Sequence, residues 1–566
     1  MKTSFLPTNK KEMREKGWDY CDIILITGDA YIDHPSFGAA LLGKYLENLN
    51  YKVGIIAQPD WNSDTDFLQL GKPKLFAGIT AGNIDSMLAH YTANKKIRSD
   101  DAYTPGNKHG KRPNRATIVY SNKIKELMPG VPVVIGGIEA SMRRLAHYDY
   151  WTDSIRRAII LDAKADILVY GMAEKALEEI ATRIKNNQNL DNIRGTVIYK
   201  GAKTFKMEHY KESVMLPSYS ELKENKNSLI LMTVIVEENL NPYNAKTLLQ
   251  EHNNQFVIAF PPSLPLSTEE LDQIYDLQFI RKPHFSYSEN IPAYEMIKDS
   301  ITIMRGCAGG CSFCSLGLHQ GKFLQSRSQE SILNEVKNLA FNKDFKGTIS
   351  DLGGPSANLY KLGCKDNKAK KNCLKPSCLY PSICSNFNTS SGPLISLMKK
   401  ARKVNGIKKI NISSGIRHDV AVLNQEYLSE LVKNHVGGHL KLAPEHFDNS
   451  ILKLMRKPVS SIYEEFSDKF YELSNKANKK QYIVPYLISS FPGCGKKEID
   501  QTAKYLKQKK IKVEQVQEFI PLPMTVAAAM YYAERDYLST NKIYVAKKPK
   551  DRQYQKNQLL WWKNKK

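Results

Sequence analysis

Cys307, Cys311 and Cys314 stand in a C-x3-C-x2-C run directly after the apolar segment Ile301-Thr302-Ile303-Met304, so three thiols leave one expected strand end within a single short loop. Thiolates that close together can face one metal centre, and thiolate is the ligand that holds iron–sulfur clusters. A cubane has about four irons to three such cysteines, which leaves one iron free to bind a small molecule. Gly306, Gly309 and Gly310 allow the tight, partly left-handed path that wraps a cluster, and Phe313 can shield the last thiol from water. A zinc knuckle or a buried set of free thiols is the plainer reading, but zinc sites usually pair C-x2-C with a distant second pair.

The chain beyond this loop keeps a strand-and-helix rhythm. Apolar strands are expected at 347–351, 407–413, 438–442, 482–488 and 512–518, with helices at 328–340, 394–404, 425–435, 461–475 and 497–507 between them. With the strand before Cys307 this makes a partial (β/α)6 TIM-like barrel over 296–535, built from right-handed crossovers. The cysteine loop then lies at the carboxyl end of the first strand, where barrel chemistry is placed.

Residues 1–190 read as a doubly wound α/β domain, from Ile23-Ile24-Leu25-Ile26-Thr27 through Val133-Val134-Ile135 to Ile167-Leu168-Val169, with ligands expected at the carboxyl ends of its strands. The polar loop Asn94 to Arg115 is expected as a mobile lid or surface insertion. Glu139, Arg143, Arg144, His147, Tyr148, Asp149, Tyr150, Trp151 and Asp153 form a dense polar and aromatic group, with substrate binding and aromatic packing both open. Residues 191–295 read as a connector containing a buried strand at Leu229 to Val236, and Arg281-Lys282-Pro283-His284 leads up to the barrel.

A second set, Cys364, Cys373, Cys378 and Cys384, lies in a Cys-rich insertion at 358–390. Four thiols can close a zinc site or ligate an auxiliary iron–sulfur cluster, and the neighbouring lysines would stabilise thiolates. The net charge of +24 comes from 82 basic against 58 acidic residues. Together with the basic, aromatic tail 536–566 it keeps nucleic acid open as a partner, as a metal-binding nucleic-acid-binding protein or an RNA-modifying enzyme. A disordered solubilising tail is the simpler expectation. No apolar run reaches the length of a membrane span and the N-terminus lacks a signal-peptide pattern, so a cytoplasmic protein without disulfides is expected.

The three-cysteine loop resembles the signature of the radical S-adenosylmethionine (SAM) superfamily. That resemblance implies a [4Fe-4S] cluster on Cys307, Cys311 and Cys314, SAM chelated at the fourth iron, and reductive cleavage to a 5′-deoxyadenosyl radical. It implies a SAM ammonium at the Gly353-Gly354 turn, although Pro355 replaces the usual acid. Ser413 and Ser414 would meet the ribose, Arg417 the methionine carboxylate, and Glu445 ends a strand similar to the superfamily's Glu-containing fifth turn. Pro492-Gly493-Cys494-Gly495 would lie against the adenine. The N-terminal domain resembles the cobalamin-binding domain that often precedes such barrels, but Asp33-His34 has no residue between aspartate and histidine, which argues against an axial histidine ligand. The full set of motifs, including Asp33-His34-Pro35-Ser36-Phe37-Gly38, Arg305-Gly306-Cys307, Val436-Gly437-Gly438 and Phe519-Ile520-Pro521-Leu522-Pro523-Met524, resembles the YgiQ-type family of radical SAM proteins from about Phe5 to Tyr532. It implies a radical SAM enzyme with a reductant such as flavodoxin or ferredoxin, and no particular substrate.

Overall fold

The computed structural model describes residues 4–563, in which the chain separates into two compact units. The first runs to Pro265 and takes in Gln273–Lys298; the second holds Leu266–Asp272 and the chain from Asp299 on. Among the described residues no helix is long and apolar enough to cross a membrane.

In the first unit, β1 (Ile23–Thr27), β2 (Val53–Ala57), β3 (Phe76–Thr80), β4 (Val133–Gly136) and β5 (Ile167–Val169) pair in parallel in the order β2-β1-β3-β4-β5. Every residue of β1 is buried, as expected of a strand with helices over both faces, and its continuous Ile-Ile-Leu-Ile run is the signature of that burial. Each such side chain contributes about 1.5–3 kcal/mol. The strand order reverses between β1 and β3, so their carboxyl ends form the switch point where open α/β sheets take ligands.

The stretch expected as a connector instead extends this sheet to nine strands through β6 (Thr196–Gly201), β7 (Ser213–Met215), β8 (Thr247–His252) and β9 (Gln255–Ala259), in the order β5-β6-β9-β8-β7. The strand expected at Leu229 to Val236 lies in the helix Lys226–Glu238, opened by the Asn225 side chain accepting from Asn227 N. Leu229, Met232, Thr233 and Val236 share its buried side while Leu231 is exposed. A short run rich in β-branched residues serves either structure, and packing settled it for the helix. Lys282–Pro283 pairs with Ile32–Asp33 inside the first unit, and His284 stacks on Tyr31 with ring centroids 5.6 Å apart, so the Arg281–His284 segment clamps this unit.

The second unit curls as expected. Its strands are β10 (Ser300–Thr302), the interrupted pair β11 (Thr348–Ile349) and β12 (Asp351–Gly353), then β13 (Lys409–Ile410), β14 (His439–Glu445), β15 (Tyr482–Ser489) and β16 (Val516–Glu518). β10 pairs with β12, β11 with β13, β14 with β15 and β15 with β16, all in parallel. Ile412 N donates to His435 O at 3.1 Å, bridging the step between β13 and the π-helical turn that precedes β14. The helices Gln329–Ala340, Gly392–Arg402, Gln425–Glu430, Ser460–Lys476 and Lys496–Gln508 occupy the crossovers.

The basic tail is ordered through Lys563, and its last three residues lie outside the described ones. The helix Pro549–Leu559 packs beside Lys496–Gln508. Arg552 is 2% exposed and donates to Phe519 O, while Trp561 and Trp562 give their indole N–H groups to Ile511 O and Val513 O. The two tryptophans of the tail are thus spent on closing the unit.

Candidate functional site

The cysteine loop is pinched off by a short ladder, Met304–Arg305 against Gln325–Ser326. Inside it Cys307 N donates to Gly321 O at 3.1 Å, and Gly306 N to Gln320 Oε1 at 3.1 Å. Gly306 sits at φ 85° and a Cβ there would run into Phe323 O, so only glycine makes this entry. The far side is anchored by buried Ser312, whose N donates to Met455 O (3.1 Å) and whose hydroxyl donates to Leu454 O (2.7 Å). Phe313 packs edge-on against Phe491 with centroids 6.1 Å apart.

Burial, with the neighbouring Cys311 thiol, pushes Cys314 up to about 12 and Cys307 in the same direction. Thiols in that state keep their protons, and a metal that binds them has to displace those protons. Arg417 Nη1 lies 3.7 Å from Cys311 Sγ, and Gly309 is the residue over which the guanidinium passes, since a Cβ there would stand 3.1 Å from Nη1. The other guanidinium nitrogens are held by Asp419, Nε to Oδ1 at 2.9 Å and Nη2 to Oδ2 at 2.5 Å. Burial would lower the Arg417 pKa, but Asp419 and Cys311 outweigh it and keep the guanidinium charged. Two nitrogens of its fork are thus held by Asp419 while Nη1 faces the cluster loop.

At the next strand end Asp351, missed by sequence reasoning, organises the turn. Its Oδ1 accepts from Ser413 N (2.7 Å) and Ser414 N (3.1 Å), and burial raises its pKa despite those donors. Ser413 and Ser414 are exposed, and the Ser413 hydroxyl donates to Ser350 O. Gly353 O accepts from Ile303 N at 2.8 Å, and Gly354 N meets Ser414 Oγ at 3.4 Å. Gly353 cannot carry a Cβ without meeting Ser414 Oγ and the Asp351 carboxylate. Glu445 stands at φ 70° beyond a register shift in β14, a strained position of the kind that clusters at functional sites. Burial raises its pKa against the opposing charges of Lys457, 3.8 Å away, and Arg417. Cys494, placed in sequence against the adenine, is fully buried with Sγ 3.5 Å from His446 Nε2.

The four-cysteine insertion packs directly on the first loop. Cys378 N donates to Ala308 O (3.0 Å) and the Ser377 hydroxyl to Gly309 O (2.8 Å). Lys322, another residue missed in sequence, is 4% exposed and donates through Nζ to Cys373 O (3.1 Å) and Lys375 O (2.9 Å). All nine cysteines are free thiols.

The first unit's switch point is filled by its own charges. Arg112, from the loop expected as a lid, is fully buried between the ends of β1 and β3. Its Nη1 donates to Ala81 O (2.8 Å) and stands 3.0 Å from Asp29 Oδ1, out of hydrogen-bond alignment; Nε and Nη2 reach the two oxygens of Asp101 at 2.8 and 3.1 Å. Arg112 and its two carboxylates thus occupy the strand ends at which open α/β sheets take ligands. His34 is buried; its Nδ1 accepts from Ser36 N and its Nε2 has no hydrogen-bond partner. Burial and the charge of Arg281 hold its pKa well down, so it is neutral. The polar and aromatic group at 139–153 is also internal: Glu139 accepts from Ser86 N and Thr117 N, Arg143 pairs with Asp85, Asp149 accepts from Arg115 and Tyr148 donates to Asp153.

The chain matches the descriptions Radical SAM N-terminal over residues 5–300, Radical SAM superfamily over 301–506 and a domain of unknown function, DUF3362, over 514–566. It is 45% identical to a UPF0313 protein of Vibrio parahaemolyticus, covering 98% of this chain and 79% of that one. It is also 45% identical to a UPF0313 protein of Rhodopseudomonas palustris, covering 94% and 81%. Among solved structures it is similar to the radical S-adenosylmethionine methyltransferase TsrM from Kitasatospora setae with cobalamin and a [4Fe-4S] cluster bound, at TM-score 0.51 and 13% identity over 89% of this chain and 74% of that one. At that identity the likeness is one of fold.

Proposed function

The chain belongs to the UPF0313 family, the YgiQ-type family its motifs resemble, and carries the radical SAM domain, and from that membership we propose that it is an enzyme that cleaves SAM reductively to start radical chemistry on a substrate. Cys307, Cys311 and Cys314 would hold a [4Fe-4S] cluster, which when reduced by a low-potential donor such as flavodoxin or ferredoxin would supply the electron for cleavage of the SAM C5′–S bond to methionine and a 5′-deoxyadenosyl radical. The observation that carries the reading is the three-thiol loop at the carboxyl end of β10, with Arg417 aimed at Cys311.

In this reading the charged guanidinium offsets thiolate charge and fixes the loop, a positioning role. Asp351 holds the Ser413-Ser414 turn at the surface, where the serine oxygens can still accept from a ribose. Gly353 and Gly354 let the SAM ammonium approach backbone carbonyl groups, and Glu445 closes the same rim with Lys457. Free thiols and the absence of any long apolar helix among the described residues support action in a reducing, cytoplasmic setting.

The test is direct. The anaerobically reconstituted protein, reduced with dithionite, should convert SAM to 5′-deoxyadenosine, and Cys311→Ala should not. Product no greater than that of the variant overturns the reading.

A further inference from the structure

Two crossover helices of the second unit, Gln329–Ala340 and Gly392–Arg402, lie side by side and run the same way. Gln329 Nε2 donates to Pro393 O (3.0 Å) at their first turns, and past their last turns Gly406 comes so near that a Cβ there would stand 3.3 Å from Ala340 Cβ. The seam between them does not close at this end. It opens into a surface groove of about 540 Å³, floored by Leu333, Ala340 and Val404 and flanked by Lys337, Lys400 and Lys403. Phe341, also in its lining, is 85% exposed, more than any other large apolar side chain among the described residues. A ring left in water beside an apolar hollow forgoes burial in the monomer, which is the mark of an interaction surface.

The charge around the groove states what it fits. Three basic residues in 337–346 and six in 399–409 stand against a single acid, Asp344. Glu426 and Glu430 offset Lys399 and Arg402, and Lys400 donates to Gln329 Oε1 at 2.9 Å. Lys337 and Lys403 have no acidic partner among the described residues. Helix ends favour cations only within their last turn, so Lys343, Lys346 and Lys408 are charge beyond what the two helices need. A basic rim round an aliphatic hollow is the complement of an amphipathic helix that carries acids beside its apolar anchors. We propose that this groove docks a partner protein through an acidic amphipathic segment, one of whose apolar side chains fills the hollow over Leu333 and Val404 against the Phe341 ring. Single-stranded nucleic acid fits less well, because it stacks on successive rings and Phe341 is the groove's one aromatic lining residue.

Phe341 leads toward β11 and Gly406 toward β13, so the groove lies at the amino ends of these strands, whereas the cysteine loop leaves the carboxyl end of β10. Docking is therefore separable from SAM cleavage driven by dithionite.

Fluorescence anisotropy on the full chain tests this. The probes are a fluorescein-labelled helical peptide with Leu on one face and Glu on the other, and the same peptide with Lys in place of Glu. The acidic peptide should bind about tenfold more tightly than the basic one, and Phe341→Ala, or Lys337→Glu with Lys403→Glu, should each weaken it about tenfold, the scale of a lost central anchor. All three positions are exposed, so these variants should keep the urea midpoint and the 5′-deoxyadenosine yield of the parent. Equal binding of the two peptides, or variants that bind as the parent does, overturns the docking site. Tighter binding of oligouridylate or of phosphatidylserine vesicles, lost in the lysine variant, overturns the acidic protein as occupant in favour of RNA or a membrane. A parent that elutes as a dimer where Phe341→Ala elutes as a monomer overturns it in favour of a second copy of this chain.

Discussion

Both units end parallel strands in loops rich in charge, yet the two sets of strand ends are built oppositely. At the ends of β1 and β3 the charges face each other: Arg112 fills the crevice and Asp29 and Asp101 neutralise it. At the ends of β12 and β13 the charges are drawn back, Asp351 onto two backbone N–H groups and Arg417 onto Asp419, and the serine hydroxyls are left at the surface. The same architecture thus gives one closed site that stabilises and one open site that can bind, which is why fold alone does not assign function.

The largest expected effect breaks the closed side. Arg112→Leu leaves two carboxylates buried without a counter-charge and should cost about 3–5 kcal/mol of stability, measured by urea unfolding and by faster hydrogen exchange in Ile23–Thr27. On the open side Ser413→Ala with Ser414→Ala should shift stability by less than about 0.5 kcal/mol while weakening SAM binding roughly tenfold, the worth of two modest hydrogen bonds. An Arg112 variant as stable as its parent would mean that the crevice is not held by this network.

How much of this was legible in the sequence depended on whether local pattern or distant packing decided. The barrel strands, the β1 run and the cysteine loop were readable because continuous apolar runs and thiol spacing are local signals. Arg112 was misread because a polar loop carries no sign that one of its arginines turns inward; only the charges Asp29 and Asp101, far away or hidden in turns, make that burial tolerable. Leu229 to Val236 failed for the opposite reason, a strong apolar signal compatible with two periods. In the site, Arg417 was found but its partner was not, since nothing in the spacing shows that Asp419 two residues on folds back onto the guanidinium. Lys322 and Asp351 act on backbone groups at a distance in sequence, and no motif marks such contacts. The connector was read from its mixed strand and loop character and the tail from its basic and aromatic residues, yet each is held by edges: β-pairing for one, and Arg552 and indole N–H bonds to backbone carbonyl groups for the other.

Two glycines sharpen the contrast at smaller scale. A Cβ at Gly28 would meet the backbone oxygen of Ala81, which cannot move without shifting β3. Gly28→Ala should therefore cost about 1–3 kcal/mol of stability, seen as a lower urea midpoint. A Cβ at Gly353 would meet only the side chains of Ser414 and Asp351, which can swing away at the expense of the turn. Gly353→Ala should leave the urea midpoint near that of the parent and raise the KM for SAM. Equal stability losses from both would erase the distinction between a packed end and a binding end.

The gentlest test is the pH dependence, where the two sites should have opposite signs. Burial, only partly opposed by Arg112, pushes the Asp29 carboxyl up to about 6, above the roughly 3.9 of an unfolded chain. Between those values the folded state holds a proton the unfolded state has lost, so unfolding free energy falls as pH rises through about 4 to 6. Burial would also raise Asp419, but Arg417 beside it wins and holds it below its usual range. Its contribution is therefore present above the unfolded value and lost as pH falls through its lower folded value. Asp29→Asn and Asp419→Asn isolate these terms against the parent in urea titrations from acid to neutral pH. The stability of the parent relative to Asp29→Asn should decline as pH rises through about 4 to 6, and relative to Asp419→Asn it should decline only as pH drops below about 4. Slopes of the same sign would mean that Arg112 neutralises its crevice as fully as Arg417 neutralises Asp419, and that the closed site is no more strained than the open one.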